Sequence, residues 1–274
     1  MLGEPADADL DHLLTRLGEP NDARYRVILM DEADDFVLAE AASSCSTLRR
    51  FRDLSAEGGC YFILAGFWKL YQTVSLDYHS PLRNFGELIE LGALEESACQ
   101  ALITQPMEAL NLRYEADALV QQIISGTGQR ANLIALTCGA ILRHLDITDR
   151  QIHAGAVSRA LDDENLRNTL AGWGKLVPED EQGCRLDRIV VYATVAQDEF
   201  SRADITRVLE GNHCPYQPEQ LRESLQRLAL AFVIERERDR YRYRVPLFRA
   251  MILEEEPASS LAQEIAAFRR QITR

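Results

Sequence analysis

The sequence predicts an α/β segment followed by a longer, mostly α-helical one. Three observations carry this. Two apolar runs of strand length, at 27–30 and 60–65, are separated by a stretch with helical spacing. From Glu95 onward apolar residues recur at three and four, as helices require. Toward the C-terminus, three such helices are followed by two short alternating runs with a tight turn between them.

The elements follow in order. Residues 9–17 place Leu10, Leu13, Leu14 and Leu17 on one helical face, and Gly-Glu-Pro-Asn-Asp at 18–22 breaks that helix. Val27 to Met30 is a continuous apolar run, which suits a strand buried on both faces of a parallel sheet. Phe36, Leu38, Leu48, Phe51 and Leu54 then keep helical spacing, interrupted by Ser-Ser-Cys-Ser at 43–46. Gly58-Gly59 precedes a second buried strand at 60–65. It ends at Gly66, where a backbone without Cβ can approach a ligand closely. A third short strand is expected at 87–91, and strands alternating with helices at this pitch read as part of a parallel sheet.

Asp31 and Glu32 follow the first strand at once. In open parallel sheets the carboxyl ends of the strands border the ligand crevice. One acid there can hold Mg²⁺ through its water shell, and the next can polarise an attacking water. A buried strand followed by an acidic solvated turn produces the same pattern. The catalytic reading therefore requires the pair to face a crevice. If both acids point into open solvent, only a generic helical adaptor is left.

Val-Ile-Leu-Met-Asp-Glu at 27–32, Phe-Ile-Leu-Ala-Gly at 62–66 and Ser-Pro-Leu-Arg-Asn at 80–84, in that order and spacing, resemble P-loop ATPases of the AAA+/STAND group. The resemblance runs through nearly the whole chain, to residue 253. It implies a partial P-loop ATPase core at 1–94, a helical lid at 95–172, a winged helix-turn-helix at 184–253 and a C-terminal helix at 254–274. It implies a Walker B motif in which Asp31 holds Mg²⁺ through water and Glu32 is catalytic. By the same resemblance Gly66 leads into the sensor 1 position, Arg83 is an arginine finger reaching a neighbour's nucleotide, and Arg130 is a sensor 2 arginine. The residues alone also allow Arg83 to pair with local acids and Arg130 to cap a loop at the surface.

Three departures shape the reading. No Gly-x-x-x-x-Gly-Lys-Ser/Thr sequence occurs, and the Gly-rich stretch at 125–130 lacks the lysine and follows no strand. Position 67 is Phe67 where the family carries a polar sensor, and Ala131 replaces the proline of the adenine-side turn. The chain thus resembles the C-terminal portion of an ATP- and Mg²⁺-dependent signalling or regulatory switch that binds ATP weakly or not at all by itself. Its own N-terminal P-loop segment, or a neighbouring subunit, would complete the site, and a protein effector would receive the signal.

In the helical region, Cys99, Leu102, Ile103 and Met107 form one face, and Pro106 should kink or end that helix. Residues 146–183 read as a linker containing one amphipathic helix (Ile152, Ala156, Val157, Ala160, Leu161), with polar connections at 162–164 and 178–183. The domain boundary is expected between 172 and 184. Beyond it, Leu186, Ile189, Val190 and Ala193 mark one helix. Ser201 can cap a second, and Pro218 opens a third. The runs at 231–235 and 240–245 form a hairpin.

Residues 201–253 hold ten arginines and seven acids, a local charge of +3 in a chain of −13, so the remainder carries −16. Such asymmetry is what a nucleic-acid patch on an acidic protein looks like. The third helix, however, offers only Arg222 and Arg227 beside Glu219 and Glu223, and alternating Arg and Glu along a hairpin also keeps an exposed ribbon soluble. Arg222, Arg227, Arg238 and Arg240 are the candidate nucleic-acid contacts, with docking onto the core or a protein partner favoured over DNA. A DNA-binding initiator or regulator, and a non-enzymatic scaffold, are the alternatives to the switch.

With 46% hydrophobic residues, the chain can bury a real core. No apolar run is long enough to span a bilayer, and the acidic start lacks the layout of a signal peptide. Six scattered cysteines without C-x-x-C spacing and five dispersed histidines argue against zinc or redox chemistry and fit free thiols in a reducing cytoplasm.

Overall fold

A computed structural model describes residues 7–18, 25–145, 150–177 and 179–272. The chain forms two compact units, Met1–Glu90 and Leu91–Arg274. The break expected at 18–22 lies largely outside the described residues, as does Pro178 of the polar connection at 178–183.

The first unit contains α1 (Asp7–Gly18), β1 (Val27–Met30), α2 (Ala33–Ala42), α3 (Ser46–Ala56), β2 (Tyr61–Leu64) and the short α4 (Trp68–Tyr71), which runs on into a π turn at Gln72–Leu76. Among the described residues its sheet has two strands. They pair in parallel, with Val27 opposite Tyr61 and Met30 opposite Leu64. One face is covered: Phe51 stacks between Phe36 and Phe62, and Val37, Leu48 and Leu54 are buried in the same cluster. The break at 43–46 falls between α2 and α3 as expected. It is closed by the carboxylate of Glu40, which accepts from the Thr47 and Leu48 backbone N–H groups and the Thr47 hydroxyl, so an acid of one helix caps the next.

Two expectations fail here. The strands are not buried on both faces, since Val27, Leu29, Tyr61 and Ile63 are exposed on the face opposite Phe62. Residues 87–91 form no strand: Leu88, Ile89 and Leu91 are exposed and lie outside any helix or strand. Both failures have one cause. A four-residue apolar run reads the same whether or not its second face is covered, and a strand forms only where a neighbour accepts its backbone bonds.

The second unit begins with α5 (Glu96–Ala109), β3 (Arg113–Tyr114), α6 (Asp117–Thr127), α7 (Ala131–His144), β4 (Gln151–Ile152), α8 (Ala154–Leu161) and α9 (Glu164–Ala171). Cys99, Ile103, Met107, Ile123, Ile134, Ile141 and Val157 form its core. Helix α5 runs through Pro106 to Ala109 rather than ending at the proline, which withdraws one helical bond, that to the Leu102 carbonyl, with only three residues of helix left to follow. Gly128 ends α6 in the left-handed conformation, a usual helix stop. The polar stretch after Leu161, expected as a connection, instead holds α9, opened by Asp163 accepting from the Asn165 N–H.

Next come a 3₁₀ turn at Gly172–Lys175, α10 (Glu181–Thr194), α11 (Arg202–Gly211), α12 (Pro218–Leu230), the antiparallel hairpin of β5 (Ile234–Glu237) and β6 (Arg240–Tyr243), α13 (Pro246–Glu254) and α14 (Pro257–Ile272). One cluster joins Leu133, Leu166, Leu170 and Trp173 to Leu186, Ile189, Phe200, Leu225 and Phe248, so the core runs across the boundary expected at 172–184. Helix α14 lies on α10 through Ile265 and Phe268, and its Glu264 accepts from both Arg185 and Arg188.

Candidate functional site

The acids Asp31 and Glu32 sit where β1 leaves the sheet. The parallel ladder continues just past them, with the Ala65 N–H donating to the Met30 carbonyl and the Ala33 N–H to the Ala65 carbonyl, both at 2.8 Å. One Asp31 oxygen accepts the Glu32 N–H at 2.9 Å. Glu32 itself is in the left-handed region (φ 50°), where a residue with a long side chain is seldom found, and it starts α2. Left-handed backbone at a non-glycine residue is held there by its surroundings, and it recurs at working sites.

Two residues beyond Glu32 stands Asp34, to which the local motif does not point. Its Oδ2 accepts from the Phe67 N–H at 2.5 Å, and its Oδ1 from the Lys69 and Leu70 N–H groups at 2.7 and 3.2 Å. Asp34 therefore caps α4 and ties the exit of β2 to the exit of β1. Gly66 belongs to the same joint. A Cβ there would lie 2.4 Å from Asp34 Oδ2 and 3.0 Å from Leu70, so the absent side chain admits Asp34 rather than a ligand. Phe67 contributes its backbone N–H to this joint. The signal was present as Asp34 three residues beyond Asp31, with Gly-Phe-Trp at 66–68 ready to receive it.

Among the described residues, nothing walls in Asp31 and Glu32. Both are exposed, and the sheet beside them has two strands. This corrects the expected placement, and the reason is geometric: two strands border no groove at their ends. A carboxylate with one oxygen uncommitted is chemically suited to hold Mg²⁺ through water. Among the described residues, however, no three His, Cys, Asp or Glu side chains could hold a metal together. These residues alone therefore make only part of such a site.

The six candidate arginines differ in their surroundings. Arg83 stacks its guanidinium 3.7 Å over the Tyr78 ring, and its Nη1 is buried without a hydrogen-bond partner among the described residues. Arg130 is held within the second unit: it donates to the Ala231 carbonyl at 3.3 Å and lies over the Phe232 ring. It is thus engaged by its own unit rather than left free as a surface cap. Arg227 is 2% exposed and bound by the equally buried Asp187, Nε to Oδ2 at 2.7 Å and Nη2 to Oδ1 at 2.9 Å, with the Ser224 hydroxyl donating to Oδ1. This removes Arg227 from the candidate nucleic-acid contacts, because its helical position points inward. Arg222 is exposed but pairs with Glu219 one turn back. Arg238 and Arg240 stand exposed at the hairpin tip.

A cleft of about 440 Å³ in the second unit is bordered by Gln121, Gly128, Gln129, Glu235, Arg242 and Arg244. Its two arginines are paired, while Glu96, which also lines it, accepts from the Gln121 amide. Arg244 binds Glu235 and Gln129, and Arg242 binds Glu235 and Glu237.

No family model matches the chain. No curated protein matches it either. Among solved structures it is similar to the Walker-type ATPase PABY2304 of Pyrococcus abyssi, at 16% sequence identity and a TM-score of 0.64, over 91% of this chain and 69% of that one. The chain thus has a P-loop ATPase-like fold, and the likeness does not single out the STAND group. Among the described residues no helix is long and apolar enough to cross a membrane.

Proposed function

We infer that this chain, with the acids but not the phosphate cradle of a P-loop ATPase-like protein, works in an ATP-dependent regulatory switch of the STAND type. The observation that carries this is the joint at the strand exits. Asp31 and Glu32 follow a parallel strand, Glu32 is held left-handed, and Asp34 fixes the neighbouring strand's exit against them. The exposure of both acids by itself fits a generic helical adaptor; the parallel strand pair, the joint at its exits and the likeness in fold are what support the ATPase reading. ATP with Mg²⁺ would supply the scissile phosphoanhydride and the cation that neutralises it. Within this chain Asp31 would keep its free oxygen toward the metal's water shell, Glu32 would orient the attacking water, and Asp34 would hold both in register. Arg83 and Arg130 are the candidates for sensing the nucleotide.

Because the cradle and its lysine are lacking, residues 1–274 should bind ATP only weakly. Calorimetric titration of ATP and Mg²⁺ into this chain should show no micromolar binding, and such binding would overturn the reading. Supplied with a P-loop segment, Glu32→Gln should lower turnover by about 10²–10⁴-fold. The exposure of both acids favours a second reading, a non-enzymatic scaffold with the ATPase-like fold, and unchanged turnover in Glu32→Gln would establish it. A DNA-binding initiator is less well supported, since α12 presents one exposed arginine and that one is paired.

A further inference from the structure

Among the described residues, one side of the first unit's sheet is open. Val27 (48% exposed) lies opposite Tyr61 (40%), and Leu29 (75%) opposite Ile63 (53%), so the four form a two-by-two aliphatic and aromatic block on one face. Tyr25, 85% exposed, extends it by an edge contact with Tyr61, ring centroids 5.8 Å apart. Parallel sheets are stable with both faces covered, so a bare apolar face on a parallel pair is a surface awaiting a partner.

We propose that this face is a docking site for one amphipathic α-helix of a partner polypeptide, about three turns long and lying along the strands. Dimensions select the occupant. Two strands at about 4.8 Å spacing make a strip close to 10 Å wide, the diameter of one helix with its side chains. Four residues of strand run about 13 Å, the length of roughly nine helical residues. The exposed apolar area is on the order of 500 Å². That matches a helix face and falls short of the roughly 800 Å² per partner of a stable two-fold dimer, so a second copy stacked sheet on sheet is the poorer fit. Charge sets the direction. Asp31 continues the row Val27, Leu29 at the carboxyl end of β1, beside Glu32, and both are exposed. The positive end of the helix dipole is favoured there, so the helix runs antiparallel to the strands.

The proposal stands apart from nucleotide binding and is tested without it. The probe is a synthetic helical peptide of about four turns, built of Leu, Ala and Lys with the leucines on one stripe, beside a scrambled peptide of equal composition. It is titrated into the full chain with methyl-labelled Val, Leu and Ile, followed by NMR. Saturable shifts should appear at Val27, Leu29 and Ile63 with a sub-millimolar Kd and be absent with the scrambled peptide. Leu29→Glu and Ile63→Glu, which change exposed side chains and leave the fold intact, should each weaken binding about tenfold or more. No saturable shift below a millimolar, shifts centred on other methyls, or equal response to the scrambled peptide would overturn the proposal. So would sedimentation showing that the free chain is a dimer abolished by Leu29→Glu, which would assign the face to a second copy.

Discussion

Removing the Asp34 carboxylate tests whether the joint at the strand exits is what holds the first unit in register. Asp34→Ala deletes an acceptor used by three backbone N–H groups, those of Phe67, Lys69 and Leu70. Loss of a helix cap costs about 0.5–2 kcal/mol, and hydrogen bonds to a charged group are worth about 1.5–3 kcal/mol each where water cannot replace them. Asp34 is half-buried, so part of that loss is recovered by hydration, and a destabilisation of about 2–3 kcal/mol follows. The assay uses the two tryptophans, Trp68 in the first unit and Trp173 in the second, both buried. In Trp173→Phe the urea transition is read from Trp68, and in Trp68→Phe from Trp173. Asp34→Ala should move the first transition and leave the second. Gly66 provides the internal control, because its added Cβ would clash with Asp34 Oδ2 at 2.4 Å. Gly66→Ala should cost about 1–3 kcal/mol in the native background and clearly less beside Asp34→Ala, a coupling of at least about 1 kcal/mol. Equal movement of both transitions, or additive costs for the two substitutions, would refute the reasoning.

The buried pair of the second unit should behave asymmetrically. Arg227→Ala, which leaves Asp187 buried with only Ser224 as partner, should cost about 3–5 kcal/mol, whereas Asp187→Leu with Arg227→Met should be near neutral by thermal unfolding. At the start of α11 the Ser201 hydroxyl and backbone N–H hold the Asp204 carboxyl below the usual carboxylate range. A lowered folded value stabilises above the unfolded pKa of 3.8 and is lost as pH falls through the folded value. Asp204→Asn should therefore cost about 1 kcal/mol near neutrality and progressively less on acidification. On duplex DNA, gel shifts at rising salt should show weak binding at most. Any binding should be reduced by Arg238→Ala with Arg240→Ala and left unchanged by Arg227→Lys, because Arg227 faces Asp187 rather than solvent.

Much of the fold was legible, and the reasons differ by element. The helices around Ile103, Ile123 and Leu225 were visible because a buried stripe must recur at three and four. The hairpin was visible because β5 and β6 alternate about a two-residue turn. Helix α9 was hidden because its eight residues, Glu-Asn-Leu-Arg-Asn-Thr-Leu-Ala, bury only Leu166 and Leu170, so its stripe is two residues long. Arg227 looked like a surface arginine because its partner Asp187 is forty residues away, and long-range pairs leave no local spacing. Asp34 was hidden in a run of acids of which Asp31 and Glu32 had an evident use, while the backbone N–H groups that donate to it lay thirty-three and more residues downstream.

The bare face of the sheet and the exposure of Asp31 and Glu32 follow from a single feature. A continuous apolar run specifies that both faces of a strand are to be covered, but not which polypeptide supplies the cover. In the first unit the side bearing Ile28, Met30, Phe62 and Leu64 is covered by α2 and α3, while the other side and the strand exits stay open together. A crevice at the exits needs a further strand beside β2 and a helix over Leu29 and Ile63. The exposed pair is then not in conflict with the buried-strand pattern that led to it. Both report an incomplete sheet: a helix seated on Val27, Leu29, Tyr61 and Ile63 would cover the apolar block, and a further strand beside it would complete the crevice at the acids.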